Sequence, residues 1–274
     1  MPRDTTPIEA ILKRERLVIG LGLALLTALS WWWVLVGSGT GMSVIAMTTW
    51  DFPPPASTGM AQQWSATYAI VMLLMWWIMM IAMMTPSAAP TILLYAHAYR
   101  HELKRGRIRG ATTPTFAFAM GYLLVWLAFS ILATGLQWSL ERIGLMHAML
   151  MWSTNAVFTG ALLLAAGAYQ LTPLKRVCLD HCRTPARFLA ANFSPGAMGA
   201  LRMGAKHGAY CLGCCWLLMV LLFAGGIMNL VWIAGLSILV LAEKLVPRGP
   251  LIARLSGIAL AAGGLWLLAH TYLR

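Results

Sequence analysis

The residues best suited to chemistry lie in the segment HGAYCLGCC, residues 207–215, directly before a long apolar run. This segment holds three of the five cysteines and one of the six histidines in the chain. At about 100° per residue, a helix would place the three thiols and the imidazole on one face. Such a face can close around a soft metal ion, and its members are His207, Cys211, Cys214 and Cys215. The alternative is that these cysteines are small apolar packing residues.

A second group of soft ligands precedes this segment. Cys178 and Cys182 are four residues apart, with His181 between them, in the stretch TPLKRVCLDHCRTP. The neighbouring Lys and Arg side chains favour the thiolate, which is the form that binds a metal or attacks an electrophile. Structural disulfides are improbable on the reducing cytosolic side of a membrane. We therefore interpret this stretch as a mobile collection point for metal.

Methionines form the third group, and the chain has 18 of them. Four cluster in one predicted helix, namely Met79, Met80, Met83 and Met84. Thioether, thiolate and imidazole ligands together suit Cu(I) best, with zinc as the alternative, although a methionine stripe can equally be core packing. Glu243 is a further candidate ligand, and the alternative for it is a snorkelling pair with Lys244.

The elements that must position these groups are membrane helices. The sequence is 60% hydrophobic and only 10% charged, whereas soluble domains are about a quarter charged. Apolar runs of about 20 residues predict a single all-α, polytopic transmembrane bundle over residues 1–274. The predicted spans are 17–38, 66–97, 114–138, 146–170, 208–226, 228–244 and 252–272, with a Cys/His-bearing cytoplasmic loop at 171–207.

The distribution of basic residues predicts the orientation of this seven-span bundle. The segments on one side hold 18 Lys and Arg residues, and those on the other side hold 2. Basic residues retain loops in the cytoplasm, so the N-terminus is predicted inside and the C-terminus outside. The same rule explains the net charge of +12 without a nucleic-acid partner.

The second predicted span contains TPSAAP, with Pro86 and Pro90. Proline removes a backbone donor and clashes with the preceding turn, which predicts a kink or break near residues 85–90. Irregular backbone at this depth would have to line a cavity or be covered by protein.

Four blocks in a fixed order resemble the predicted metal-binding integral membrane proteins, a bacterial family of uncharacterised function. They are WWIMMIAMMTPSAAP, LKRVCLDHCRTP, RMGAKHGAYCLGCCWLLMVLLFAGGIMNLVW and LAEKLVPRG, within residues 66–250. The resemblance implies metal binding, copper-related chaperone or transport activity, and a small soluble protein as a partner. The matching positions are Cys178, His181, Cys182, His207, Cys211, Cys214, Cys215 and Glu243.

These observations predict a multi-pass protein of the bacterial inner membrane that binds copper, as Cu(I), and transports it or delivers it to a membrane enzyme. Besides the lipid bilayer, the expected partner is a small soluble metal-handling protein or an enzyme subunit. One alternative is a membrane oxidoreductase, or a subunit of one, that uses bound copper or the Cys211–Cys214 pair. A second alternative is an assembly or scaffold subunit. No established catalytic motif is present.

Overall fold

The computed structural model describes residues 7–54, 63–106 and 114–273, with side chains from residue 16 onward. Within these residues it is all-helical, as predicted, and the one β-type pairing is an isolated bridge between Met146 and Ser153. The helices are α1 (Pro7–Leu35), α2 (Ala66–Lys104), α3 (Thr115–Arg142), α4 (Ala156–Gln170), α5 (Pro173–Arg183), α6 (Pro185–Asn192), α7 (Gly196–Val220), α8 (Leu222–Gly225), α9 (Leu230–Leu245) and α10 (Gly249–Tyr272).

Polar side chains fix where several helices begin. A side-chain oxygen just before the helix accepts a backbone N–H of the first turn, which has no partner within the helix. This cap occurs at Ser65 for α2, Asn155 for α4, Thr172 for α5 and Asn229 for α9. The cap at Thr172, followed by Pro173, separates α5 from α4 and gives a bend of 64° between them.

Five helices in the described part of the chain are long and apolar enough to cross a membrane, and the bent pair α4–α5 would make a sixth. The protein therefore has the helices of a membrane protein, whereas the count of seven stays a prediction. Residues 146–155 of the predicted fourth span are not helical, so α4 has only 15 residues. With 16 residues, α9 measures about 24 Å, which is shorter than a hydrocarbon core of about 30 Å.

The predicted cytoplasmic loop at 171–207 is largely helical. It contains α5, α6 and the first three turns of α7. The sequence explains this, because a Thr-Pro pair begins both α5 and α6, and proline is well tolerated at the first helical position. Residues 1–6, 55–62, 107–113 and 274, which carry part of the predicted charge bias, lie outside the described residues.

The predicted break at residues 85–90 does not occur, because α2 is one helix of 39 residues through Pro86 and Pro90. Neighbouring side chains supply donors to the backbone here. The hydroxyls of Ser87 and of Tyr122 on α3 both donate to the carbonyl of Met84, at 2.9 and 3.3 Å. The two prolines remove the donors of the Ala82 and Pro86 carbonyls, so these hydroxyls support the neighbouring turn and do not replace the lost backbone hydrogen bonds. The kink without a break stays a prediction.

The centre of the bundle is formed by α2 and α7. In the apolar 18-residue stretch of each helix, 50% of the residues are buried in α2 and 61% in α7, compared with 11% in α1 and 22% in α10. On one side of α7, α3 packs at backbone distance, because Gly204 lies directly on the carbonyl of Phe118 and leaves no space for a Cβ atom. This contact fixes α3 against α7, and therefore fixes the height of Tyr122 relative to the cysteines.

Candidate metal centre

Three thiols lie on one buried face of α7. Cys211, Cys214 and Cys215 are each at most 1% exposed, as their spacing of three and four residues predicts for one helix face. The thiols of Cys214 and Cys215 donate to the carbonyl of Cys211, at 3.1 and 3.0 Å. Their protons are thus satisfied by the helix backbone.

The short helix α5 brings the other two cysteines to the same place. Cys182 lies beside Cys211 and Cys214. Cys178 packs against Gly213, where an added Cβ would come within 2.8 Å of its sulfur. The five cysteines, Cys178, Cys182, Cys211, Cys214 and Cys215, therefore form one group, which we call the thiol cluster. The sequence divided them into two groups, and the packing of α5 on α7 joins them.

A lysine lies inside this cluster. The ammonium of Lys244, from the end of α9, is 2.9 Å from the sulfur of Cys211 and 3.2 Å from the hydroxyl of Ser87. The side chain is only 5% exposed. The hydroxyl of Tyr122 also contacts the Cys211 sulfur, at 3.1 Å. A buried ammonium needs a negative or hydrogen-bonding partner, and the Cys211 thiolate would supply it.

Glu243 lies next to Lys244 in the chain but points to a different set of groups. Its carboxylate is 2.6 Å from the ammonium of Lys175 and accepts a hydrogen bond of 2.8 Å from the amide of Gln170. Glu243 and Lys175 are each 1% exposed, so this is a buried ion pair and not a snorkelling one. Glu243 therefore fastens α5 to α9, and the structure does not bring it to the thiols.

The second end of α5 is fastened by Arg183. Its guanidinium donates to the carbonyls of Glu243, Val246 and Pro247, at 2.6, 2.7 and 2.9 Å. These carbonyls lie at the C-terminal end of α9, where backbone acceptors lack helical partners. Between Lys175 and Arg183, α5 thus covers the thiols of α7 and is attached at both ends to α9.

The two predicted histidine ligands differ in their surroundings. His207, one turn before Cys211, is 2% exposed and packs near the rings of Phe118, Tyr122 and Phe188. Its Nδ1 has no hydrogen-bond partner, which is a costly arrangement for a buried polar atom. His181 stacks on Tyr210, with ring centres 4.1 Å apart, and its Nδ1 is 2.8 Å from the carbonyl of Val177. A carbonyl only accepts, so neutral His181 keeps its Nε2 lone pair for a ligand.

The predicted methionine ligands are all buried. Met79, Met80, Met83 and Met84 are at most 2% exposed. Met84 lies at the thiol cluster, because its thioether sulfur is 3.9 Å from the sulfur of Cys215. The other three methionines extend along α2 away from the cluster.

A further histidine shows how the structure separates ligands from structural residues. His147 follows the end of α3, and its Nδ1 accepts the backbone N–H groups of Met149 and Leu150, at 3.2 and 3.0 Å. Burial lowers the pKa of His147, which favours the neutral ring. In that ring Nε2 carries the proton, so His147 closes a turn and has no free lone pair for a metal.

The donor atoms of the thiol cluster fit a soft cation, but they do not form a closed site. Among the described residues, no group of three or more His, Cys, Asp or Glu side chains is arranged to hold a metal ion. Two contacts explain this. Cys214 and Cys215 direct their protons to a backbone carbonyl, and Lys244 occupies one side of Cys211. Thiol rotation or displacement of the ammonium would therefore accompany metal binding. The sequence pattern does not place Lys244, Ser87 and Tyr122 at the cluster, because a lysine that ends a predicted span ordinarily indicates snorkelling.

The fold and the cluster together define a helical protein of membrane-spanning composition with buried soft ligands. In comparisons with known proteins, the family PpoB2, described as copper chaperone, matches residues 73–267. The chain belongs to this copper chaperone family. The matched region includes every cysteine and the four clustered methionines. Curated proteins and solved structures gave no match.

Proposed function

We propose that the protein holds Cu(I) in the thiol cluster and passes it to a membrane enzyme or to another carrier. The observation that carries this proposal is the convergence of five cysteines and the Met84 thioether in a buried site of a chain from a copper chaperone family. Thiolate and thioether sulfur select Cu(I) over abundant hard cations, with zinc as the second candidate. His207 would add its unpartnered nitrogen from one turn away.

The proposal extends to location and direction. In the predicted seven-span arrangement, with the N-terminus inside, the ends of α2, α4 and α9 and the starts of α3, α7 and α10 face the cytoplasm of a bacterial cell. The thiol cluster then lies near the inner surface of the cytoplasmic membrane, where a small soluble metal-handling protein could reach it. His181, half-buried on α5, would meet the cargo first.

One contact favours a second candidate function. Cys182 lies within reach of Cys211 and Cys214, which would allow a thiol–disulfide step in a membrane oxidoreductase. A bound metal and a redox-active pair are distinguished by reducing the protein and measuring both its copper content and its activity toward a quinone or a disulfide substrate. Activity without copper would favour the oxidoreductase.

The central test replaces Cys211 and Cys214 together by serine in protein purified under reducing conditions without chelators. We expect the parent protein to contain Cu(I), measured by elemental analysis and competition with a Cu(I) chelator, and the double variant to lose it. Ala209→Ser, on the exposed face of the same helix, is the matched control and should keep the metal. Unchanged metal content in the double variant, or neither copper nor zinc in the parent, would assign the cysteines to packing.

A further inference from the structure

Six buried methionines lie along α2 between residues 72 and 84. They are Met72, Met75, Met79, Met80, Met83 and Met84, and each is at most 2% exposed. At about 1.5 Å per residue, they extend about 18 Å along the helix axis, with steps of about 4–6 Å between successive levels. We call these six residues the methionine stripe. Thioether sulfur is a weak and exchangeable ligand for a soft cation.

One end of the methionine stripe meets the thiol cluster. The sulfur of Met84 is 3.9 Å from that of Cys215, so the strongest soft ligands of the protein are in contact with the first thioether. A cation leaving the thiolates would therefore find sulfur next to it and would not have to enter an apolar core.

The opposite end of the stripe meets a polar chain that leads out of the core. The amide nitrogen of Gln137 donates to the sulfur of Met72, at 3.5 Å, and to the carboxylate of Glu141, at 2.9 Å. Gln137 is 0% exposed, and its oxygen accepts the indole N–H of Trp76, at 2.9 Å. Glu141, one turn further along α3, is only partly buried and also accepts the indole N–H of Trp64, at 2.7 Å.

This polar chain has a feature that packing does not require. A fully buried glutamine in a membrane-spanning helix is costly, and here one of its two donors is used on a thioether. That weak N–H···S contact would be easy to replace when a cation reaches Met72. Glu141 then offers a negative charge about 6 Å further toward the surface, as a partner for a monovalent cation. The path from Met84 to Glu141 is therefore about 24 Å long, which is most of the thickness of a hydrocarbon core of about 30 Å.

We propose that the methionine stripe conducts the soft metal cargo from the thiol cluster to the opposite face of the membrane, where Met72, Gln137 and Glu141 form its release site. This inference rests on the proposed function, because the thiol cluster must load the stripe. The ion remains Cu(I) throughout, and each step exchanges one sulfur or oxygen ligand for another. Several weak sites in series allow an ion to leave, which one tight site would prevent.

The test uses the full chain in liposomes, with Cu(I) and a reductant outside and a fluorescent Cu(I) chelator inside. Met79→Leu combined with Met80→Leu conserves the core volume but leaves a gap of about 12 Å between Met75 and Met83. We expect this variant to transfer Cu(I) at least about tenfold more slowly than the parent protein, with an unchanged amount of copper bound at the cysteines. Glu141→Gln should also slow the transfer.

The matched control is Met203→Leu. Met203 is a buried methionine of α7 that lies two turns before Cys211, on the side of the cluster away from the stripe. The Met203→Leu variant should transfer copper at the parental rate. If the double variant does not fold, Met75→Leu is measured instead, because Met75 is the only methionine at its level, and this variant should slow the transfer.

The outcomes separate the two proposals. A parent protein that binds copper at the cysteines but does not move it into the liposomes would overturn the conduction path and leave the metal-binding function intact. Equal transfer by the parent and the stripe variants would also overturn the path. A parent protein that binds no copper would overturn both proposals.

Discussion

Replacing Lys175 by methionine should release α5 from the thiol cluster. The change removes the ammonium that lies 2.6 Å from the Glu243 carboxylate and leaves this carboxylate buried without its ion partner. Removing one partner of a buried pair costs about 3–5 kcal/mol. In an open form, in which α5 has moved away from α7, Glu243 is exposed to water and most of this cost is relieved. The change therefore favours the open form over the closed one. At about 1.4 kcal/mol per factor of ten, the open population should rise by about 100-fold or more.

The assay is the rate at which a maleimide reacts with the cysteines of the folded protein. In the parent protein, the three thiols of α7 are at most 1% exposed, so labelling reports opening. We expect Lys175→Met to accelerate labelling of Cys211 by about two orders of magnitude. Adding Glu243→Gln should restore slow labelling, because the double change leaves no unpaired charge.

Two controls make this prediction specific to the pair. Arg248→Gln changes a basic residue at the exposed end of the same region and should label at the parental rate. Arg183→Gln loses hydrogen bonds to backbone carbonyls without leaving a buried charge, so its effect should be smaller than that of Lys175→Met. Parental labelling of Lys175→Met, or equally fast labelling of the single and double variants, would refute the reasoning.

Two further predictions concern residues that support the site. Gly204→Val should lower the apparent Tm by about 6–12 °C in thermal unfolding. A side chain there meets the Phe118 backbone, and overpacking costs up to about 3 kcal/mol. The control is Gly235→Val, because an added side chain at Gly235 has open space. An unchanged Tm would contradict the backbone contact. His147→Asn should keep both Tm and copper content, since Asn can accept the same backbone N–H groups, whereas His147→Ala should lower Tm alone. Loss of copper in either variant would show that His147 is a ligand after all.

The sequence was sufficient for features that depend on local periodicity. The apolar runs predicted the helices, and the spacing of Cys211, Cys214 and Cys215 predicted their common face, because both follow from the turn of a single helix. The Thr-Pro pairs at residues 172–173 and 184–185 also carried a helix signal, although the segment was interpreted as a loop.

Features that depend on contacts between distant helices could not be predicted in this way. Nothing in the sequence around Lys244 shows that its ammonium would reach Cys211, 33 residues earlier, because that contact depends on how α9 packs against α7 and α2. Likewise, Glu243 was proposed as a metal ligand, but its carboxylate pairs with Lys175, 68 residues earlier. Pro86 and Pro90 predicted a kink or a break, and α2 continues through both residues without a break.

The close contact of α3 with α7 at Gly204 has a consequence for how the protein can change. Tyr122, Cys211, Cys214 and Cys215 are carried by two helices that touch through their backbones, so their mutual distances are rigid. Cys178 and Cys182 are carried by a short helix that is joined to α4 by two residues and to α6 by one, and is fastened by side chains. Under the proposed function, substitutions at the fastenings of α5, Lys175 and Arg183, should therefore alter how fast the ion is exchanged and leave metal preference intact. Substitutions in α3 or α7 should alter which ion is preferred. The proposed function would thus divide exchange rate and metal selectivity between separate helices.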